Sequence, residues 1–382
     1  MKKHPLKNQV VSAVGISVLT FFAPLNSELL AHREPEPPVV QIALLLDTSN
    51  SMDGLINQAK TQLWKVVNEF GSTPEGRKTA PVVQVALYEY GNDSLSKRGH
   101  WIRCILPMSR DLDRVSEELF SLTTNGGSEF CGAVLRRAVQ EIAWSANPDS
   151  YKAIFIAGNE HFTQGPIHYR SVCEAAVEAG IVINTIHCGK KEAGIEGRWR
   201  HGAKAGGGEF MTIDQNSAVM HIHAPQDRRI AELNEKLNDT YLAYGGKAAQ
   251  KQKANQIAQD ANASKAGSLA VRTICKATMS YHNSAWDLVD ALKKEDFDLA
   301  AIPAAALPEE MQRLAPAERS AHVKKVAAKR EAIQNEILEL SEERAGFVAD
   351  KLEEEGNDET VGAAMIKAIR SQAAQKGLIL SQ

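Results

Sequence analysis

VVQIALLLDTSNSMDGLINQAKTQLWKVVNEF, residues 39–70, is the stretch on which the reading of the fold turns. An apolar run of strand character ends abruptly in Asp47, Ser49 and Ser51. A helical pattern follows, with Leu55, Ile56, Ala59, Leu63, Val66 and Val67 near helical spacing. A carboxylate and two hydroxyls at alternate positions, on a turn leaving the C-terminal edge of a buried strand, suit a hard divalent cation. Mg²⁺, or Mn²⁺ in its place, takes oxygen ligands and keeps several waters, so one charge and two neutral oxygens leave it strongly electrophilic. Such an ion retains affinity for a carboxylate on another molecule, which would make the turn a hook for a protein partner. Taken alone, the turn also reads as a helix N-cap, where Ser and Asp are favoured.

Working outward, strand patterns fall at PVVQVALYEYG (81–91) and WIRCILPM (101–108), then a helix at DLDRVSEELFSL (111–122). The loop TTNGGSEFCG (123–132) precedes two more strands, YKAIFIAGNE (151–160) and IVINTIHCG (181–189), and GGGEFMTID (206–214) reads as a last one. The order of these elements, opened by the D-x-S-x-S turn, resembles the von Willebrand factor A family over about half the chain. The resemblance implies a doubly wound α/β domain at 39–222, with a mainly parallel sheet and a metal-ion-dependent adhesion site. Asp47, Ser49 and Ser51 would supply that site, with Ser128 standing where the family has a threonine after Gly-Gly. One departure is visible. Ala157 stands where the family carries an aspartate before Gly158, and Ala157 cannot ligate. Asn159 and Glu160 lie just beyond, and either is placed to reach back with an oxygen.

The 382 residues leave room for two or three domains. A net charge of −3 gives no basic footprint for nucleic acid. Residues 1–31 read as an export signal, with Lys2, Lys3 and Lys7 ahead of the apolar VVSAVGISVLTFFAPL. A poor cleavage site, with Leu29 upstream of Ala31, leaves an uncleaved membrane anchor as the other reading. Either way the chain is expected to be exported, periplasmic or extracellular, with membrane attachment only through this segment. Pro35, Pro37 and Pro38 make 32–38 a stiff linker.

Five cysteines at wide spacing exclude a Cys-x-x-Cys zinc pattern. Cys131 and Cys188 fall at the same sheet edge and read either as a disulfide, if their Cα atoms approach within about 7 Å, or as two small buried hydrophobes. The histidines, His161, His168, His187, His201, His221 and His223 among them, form no H-E-x-x-H frame. No G-x-S-x-G elbow, phosphate-cradling P-loop or dinucleotide loop is present, so binding is expected rather than catalysis. Metal-assisted hydrolysis would need a base, for which Glu160 is the visible residue.

The second half is rich in Ala, Glu, Lys and Gln. Residues 224–246 read as an amphipathic helix carrying Ile230, Leu233, Leu237, Tyr241 and Tyr244, ended by Gly245-Gly246 and packed on the sheet domain. The tract that follows, to 267, reads as an exposed helix or a partly disordered connector that offers little to pack. An α-helical region, 268–382, completes the chain. Ser284 is its first N-cap expectation, Pro308 opens another helix, and 316–355 is a long charged helix with Val326, Ile333, Ile337, Leu340 and Phe347 close to a coiled-coil seam. Met365, Ile366 and Ile369 share a face of the last helix. The function expected from all this is a non-enzymatic, exported binding or scaffold protein capturing a carboxylate-bearing protein partner through a divalent ion. The alternative is a metal-free assembly module that binds its partner by the helical half.

Overall fold

Val39–Asp47 (β1) is covered on both faces, which is why it runs apolar without alternation. Val40, Ile42, Leu44 and Leu46 point into one core and Ala43 and Leu45 into the other. These positions come from a computed structural model that describes residues 39–53, 56, 82–213, 222–354 and 361–378. The expected export segment and Pro-rich linker, His221 and, apart from Ile56, the helix expected after Ser51 lie outside the described residues. All described residues belong to one compact unit.

β1 is central in a six-stranded sheet. Val82–Tyr90 (β2) and Tyr151–Gly158 (β4) flank it in parallel. Ile102–Ser109 (β3) closes one edge as the antiparallel strand. Val182–Cys188 (β5) and Gly207–Ile213 (β6) extend the other edge in parallel, giving the order β3-β2-β1-β4-β5-β6. Chain reversal at β1 makes a doubly wound sheet, and the crevice of such a sheet lies beyond the carboxyl ends of its strands at that switch point. Helices Leu112–Ser121 (α1), Cys131–Glu141 (α2), Tyr169–Glu178 (α3), Lys191–Glu196 (α4) and Trp199–Ala205 (α5) cover the two faces. Val115 and Leu119 of α1 join the first core; Val134, Leu135, Tyr169, Val172 and Trp199 join the second.

The C-terminal half is helical, and it completes the first core rather than standing apart from it. Asp227–Asn238 (α6) contributes Leu233 and Leu237, and Pro316–Glu354 (α11) contributes Ile333 and Ile337 to the cluster that holds the β1 side chains. Lys247–Lys265 (α7), expected to pack little, is a continuous helix that buries Ala249, Gln256, Gln259, Asp260 and Ala263. Its polar side chains find partners: Ser116 of α1 donates to Gln259 at 3.1 Å. Leu269–Ala277 (α8) then brings Arg272 back to Asp113 of α1 at 2.6 Å. Amides and charges do here what large apolar side chains do elsewhere, so a scan for apolar stripes underrates the segment.

Three further expectations are corrected. α6 ends at Asn238, not at Gly245-Gly246, because Leu242 N–H is drawn to the Asp287 carboxylate at 2.7 Å and Tyr244 N–H to the Trp286 carbonyl at 2.8 Å. Asp287, not Ser284, caps the short Leu288–Ala291 (α9), accepting from Asp290 N–H at 3.0 Å. Pro308 does precede Glu309–Gln312 (α10). The apolar seam of α11 lies against α6 and α8 of the same chain, so its partner is internal. Val361–Ala374 (α12) lies along β6, where Ile369 and Ala373 are buried and Gln372 exchanges hydrogen bonds with Asn184 of β5 at 2.8 and 3.2 Å.

Candidate metal centre at the carboxyl edge of the sheet

Asp47 is the last residue of β1 and is fully buried. Its Oδ1 accepts from Ser49 N–H at 2.8 Å, which curls the chain into the turn. Asn50–Met52 then forms a 3₁₀ turn whose cap residue, Ser49, makes no side-chain capping bond. The Ser49 hydroxyl instead meets the Ser51 hydroxyl at 2.8 Å, and Ser51 donates to Asn159 Oδ1 at 3.0 Å. Asn159 Nδ2 returns the contact to the Ser51 carbonyl at 3.1 Å. Ser49 thus makes no capping bond to the 3₁₀ turn, the longer helix expected after it lies outside the described residues, and the two serine oxygens form a line that ends at the β4 loop.

Asp47 Oδ2 is buried with no hydrogen-bond partner among the described residues. Burial holds the carboxyl up at about 7; hydrogen bonds from Ser49 oppose the rise and the nearby Glu129 charge adds to it. Glu129 itself is buried, its carboxyl raised first by burial and then by the charge of Glu160. Gly91, with φ of +79°, separates the two acids: a Cβ there would lie 2.9 Å from both Asp47 Oδ1 and Glu129 Cγ. Gly158 has a similar duty, since a Cβ would press on the Tyr90 hydroxyl at 2.5 Å and on Asp47 Cβ at 3.1 Å.

The structure sorts the expected site residues. Asp47, Ser49, Ser51 and Asn159 are brought together. Ser128 is half-buried on a loop held to the turn by Asn125 N–H on the Thr48 carbonyl at 3.0 Å, with Gly127 pressed against the Gly91 carbonyl. Of the two residues placed to compensate for Ala157, Asn159 makes the contact with Ser51. Glu160 uses its carbonyl to accept from Trp199 Nε1 at 2.6 Å. Ala157 is fully buried, its carbonyl accepting from Tyr90 at 3.0 Å. Glu129 was missed from sequence, although it directly follows Ser128 in the loop already singled out.

An unpartnered buried carboxylate oxygen beside two hydroxyls and an amide oxygen fits a hard divalent cation. Among the described residues no three of His, Cys, Asp and Glu gather as a metal cluster, so any ion here would depend on neutral oxygens. The histidines have other duties. Tyr169 and His201 share a hydrogen bond of 2.9 Å, and His187, lowered to about 4 by burial with His161 adding repulsion, is a neutral ring against Trp199. All five cysteines are free; Cys131 Sγ lies 3.7 Å from the Tyr90 hydroxyl, and burial pushes both its thiol and that of Cys188 far up.

No protein-family model matches the chain. No curated protein matches it either. Solved structures do. BatB, a conserved hypothetical protein from Bacteroides thetaiotaomicron, is 18% identical with a TM-score of 0.35, the match covering 46% of this chain and 90% of that one. The SpRpn10 VWA domain is 14% identical at a TM-score of 0.35, covering 47% and 91%. Proximal thread matrix protein 1 from the mussel byssus, with a zinc-occupied MIDAS motif, is 15% identical at 0.36, covering 47% of this chain and 43% of its own. The sheet order, with Asp47 ending its central strand and Ser49 and Ser51 on the turn beyond it, is that of a von Willebrand A-like α/β fold, here followed by a helical region.

Proposed function

We propose that this chain is a non-enzymatic, exported binding or scaffold protein that captures a protein partner through a divalent ion seated at Asp47. One observation carries the reading: Asp47, whose buried Oδ2 has no hydrogen-bond partner among the described residues, ends β1 at the turn where the oxygens of Ser49, Ser51 and Asn159 are linked. Those residues would hold Mg²⁺ or Mn²⁺, with Ser128 and Glu160 at the rim and Glu129 adding negative charge from behind. The ion, when bound, supplies Lewis acidity toward a carboxylate of the partner. An amide at Asn159 in place of a carboxylate neutralises the ion less, which weakens its hold on the protein and strengthens its pull on the partner. The zinc-occupied motif named for the mussel protein is in keeping with a divalent ion in this fold. Export rests on the N-terminal segment of the sequence; among the described residues no helix is long and apolar enough to cross a membrane.

A second reading has its own support. Ser51 and Asn159 satisfy each other through two hydrogen bonds, as they would in a metal-free assembly module. Calorimetric titration of the folded chain with Mg²⁺ and Mn²⁺ separates the two. Binding that Asp47→Ala abolishes, Asn159→Ala weakens and Glu160→Gln leaves nearly unchanged supports the ion. Absence of binding by the unaltered chain at millimolar metal transfers the function to the metal-free reading.

A further inference from the structure

Away from the sheet edge, three helices bring an amine, two primary amides and a carboxylate into one buried cluster. Lys276 of α8 is fully buried, and its Nζ donates to Asn234 Oδ1 at 2.8 Å, Asn238 Oδ1 at 2.6 Å and Asp260 Oδ2 at 2.8 Å. The same Asp260 oxygen accepts from the amide nitrogens of Asn234 at 2.9 Å and Asn238 at 2.8 Å. Asp260 is held from its other side by Arg272 Nε on Oδ1 at 2.6 Å. An ordinary buried ammonium needs only three acceptors. Here two of them are acyl carbons' oxygens, and the third is a carboxylate that touches both the amine and the nitrogen an acyl transfer would expel.

We propose that Lys276 Nζ attacks Cγ of Asn234 to form an intramolecular isopeptide bond with release of ammonia. The Cγ–Nζ bond forms and the Cγ–Nδ2 bond breaks. Asp260 Oδ2 takes a proton from Nζ and passes it to Nδ2, which leaves as NH₃. No redox change or co-reactant is involved. The attacking amine must be neutral. Burial pulls Lys276 down to about 8 against the attraction of Asp260, with Arg272 adding to the fall, so a sizeable neutral fraction exists at mildly alkaline pH. Burial works to raise Asp260, but Lys276 and Arg272 together hold it at about 2, and once Lys276 has lost its proton Arg272 still favours the carboxylate that accepts the proton. Fixing the reactants in contact replaces a bimolecular encounter by an intramolecular one. Asn234 is favoured over Asn238 because it is buried, whereas Asn238 is half-exposed and open to competing water. The product would staple α6 to α8 across 42 residues of sequence, a covalent brace for the helical half of a chain that works outside the cell.

Tryptic mapping of the full chain after incubation at mildly alkaline pH tests this directly, because Lys236 places the two asparagines on different peptides. The expected product is a branched species joining residues 230–236 to 273–293, uncleaved after Lys276 and lighter than the two peptides together by one ammonia. Lys276→Arg, which keeps a cation but removes the nucleophile, abolishes it, and Asp260→Asn slows its appearance by about 10²-fold or more. If either variant fails to fold, the map of the unaltered chain still decides. Linear recovery of both peptides overturns the proposal, as does aspartate at 234 without a branch. A branch to residues 237–247 overturns the choice of Asn234.

Discussion

Asp47 and Asp260 are both buried carboxylates on which burial acts in the same direction, yet one is held at about 7 and the other at about 2. Asp260 has Lys276 at 2.8 Å and Arg272 at 2.6 Å. No ion pair among the described residues reaches Asp47, and one of its oxygens lacks any partner among them. The difference teaches how to read a buried acid: counter-charge, rather than depth, decides how far its carboxyl rises. Arg272 on Asp113 ties the helical half to α1 by a matched pair, while at the sheet edge neither Asp47 nor Glu129, both buried, has an ion pair among the described residues.

The largest effect tests the matched side as a whole. Ending the chain after Gly267 removes Arg272 from Asp113 and Asp260, and takes Ile333, Ile337 and Ile369 out of the first core. Sequence reading alone expects this cut to be neutral for the sheet domain. The structure leads to the opposite expectation, a loss of more than about 5 kcal/mol, comparable with a domain's whole margin. Denaturant melts of the two chains decide it, and equal midpoints would restore 39–222 and 268–382 as independent units.

Within the helical half, Arg330 is the most connected cation. It is nearly inaccessible, binds both Asp287 oxygens at 2.6 and 3.0 Å, meets the Thr240 carbonyl at 2.6 Å, and lies over the Tyr241 ring at 4.2 Å. Arg330→Ala strands Asp287 without a counter-ion, and the expected loss is about 3–5 kcal/mol in a urea melt.

The unmatched side should respond with the opposite sign. Asp47→Asn removes a buried, unpaired charge, so in the presence of a chelator it is expected to raise stability by about 1–3 kcal/mol while abolishing any response to Mg²⁺. A fall in stability would mean that the charge is matched in the folded chain and that the comparison with Asp260 fails.

The smallest effect concerns acid. His187 is buried with Nδ1 unpartnered among the described residues and is lowered from 6.5 to about 4. The folded state therefore keeps a neutral ring where the unfolded chain takes up a proton. Its stabilisation is present above about 6.5 and fades as pH falls toward 4. Relative to His187→Gln, the unaltered chain should lose roughly 1–2 kcal/mol across that window, read from melts at each pH. Parallel pH curves for the two proteins would show that the ring is not held neutral.

The sheet was legible because a strand buried on both faces must be apolar throughout, and VVQIALLLD and YKAIFIAG have no other reading in an α/β order. The turn was legible for a related reason: Asp47, Ser49 and Ser51 are separated by single residues, so their oxygens converge through local geometry. The pairing of Asn159 with Ser51 was not local: it depends on which side chain the β4 loop aims at the turn. Glu129 was overlooked because nothing in a Gly-rich loop says which residue will turn inward.

By itself, then, the sequence determined the strand set, the turn and the helical character of the second half, all of which follow from spacing along the chain. Only the tertiary structure decided which charges are buried. Arg330 sits in the long charged helix α11 and Arg272 and Lys276 in the short LAVRTICKA helix α8, and in isolated helices all three would be solvated. They are buried because α1, α6, α7, α8 and α11 close around them, and the partners that make this possible lie 16, 43 and 159 residues away. A charge can leave water only where an opposite charge or a full set of hydrogen bonds awaits it, and that is a property of the packed chain.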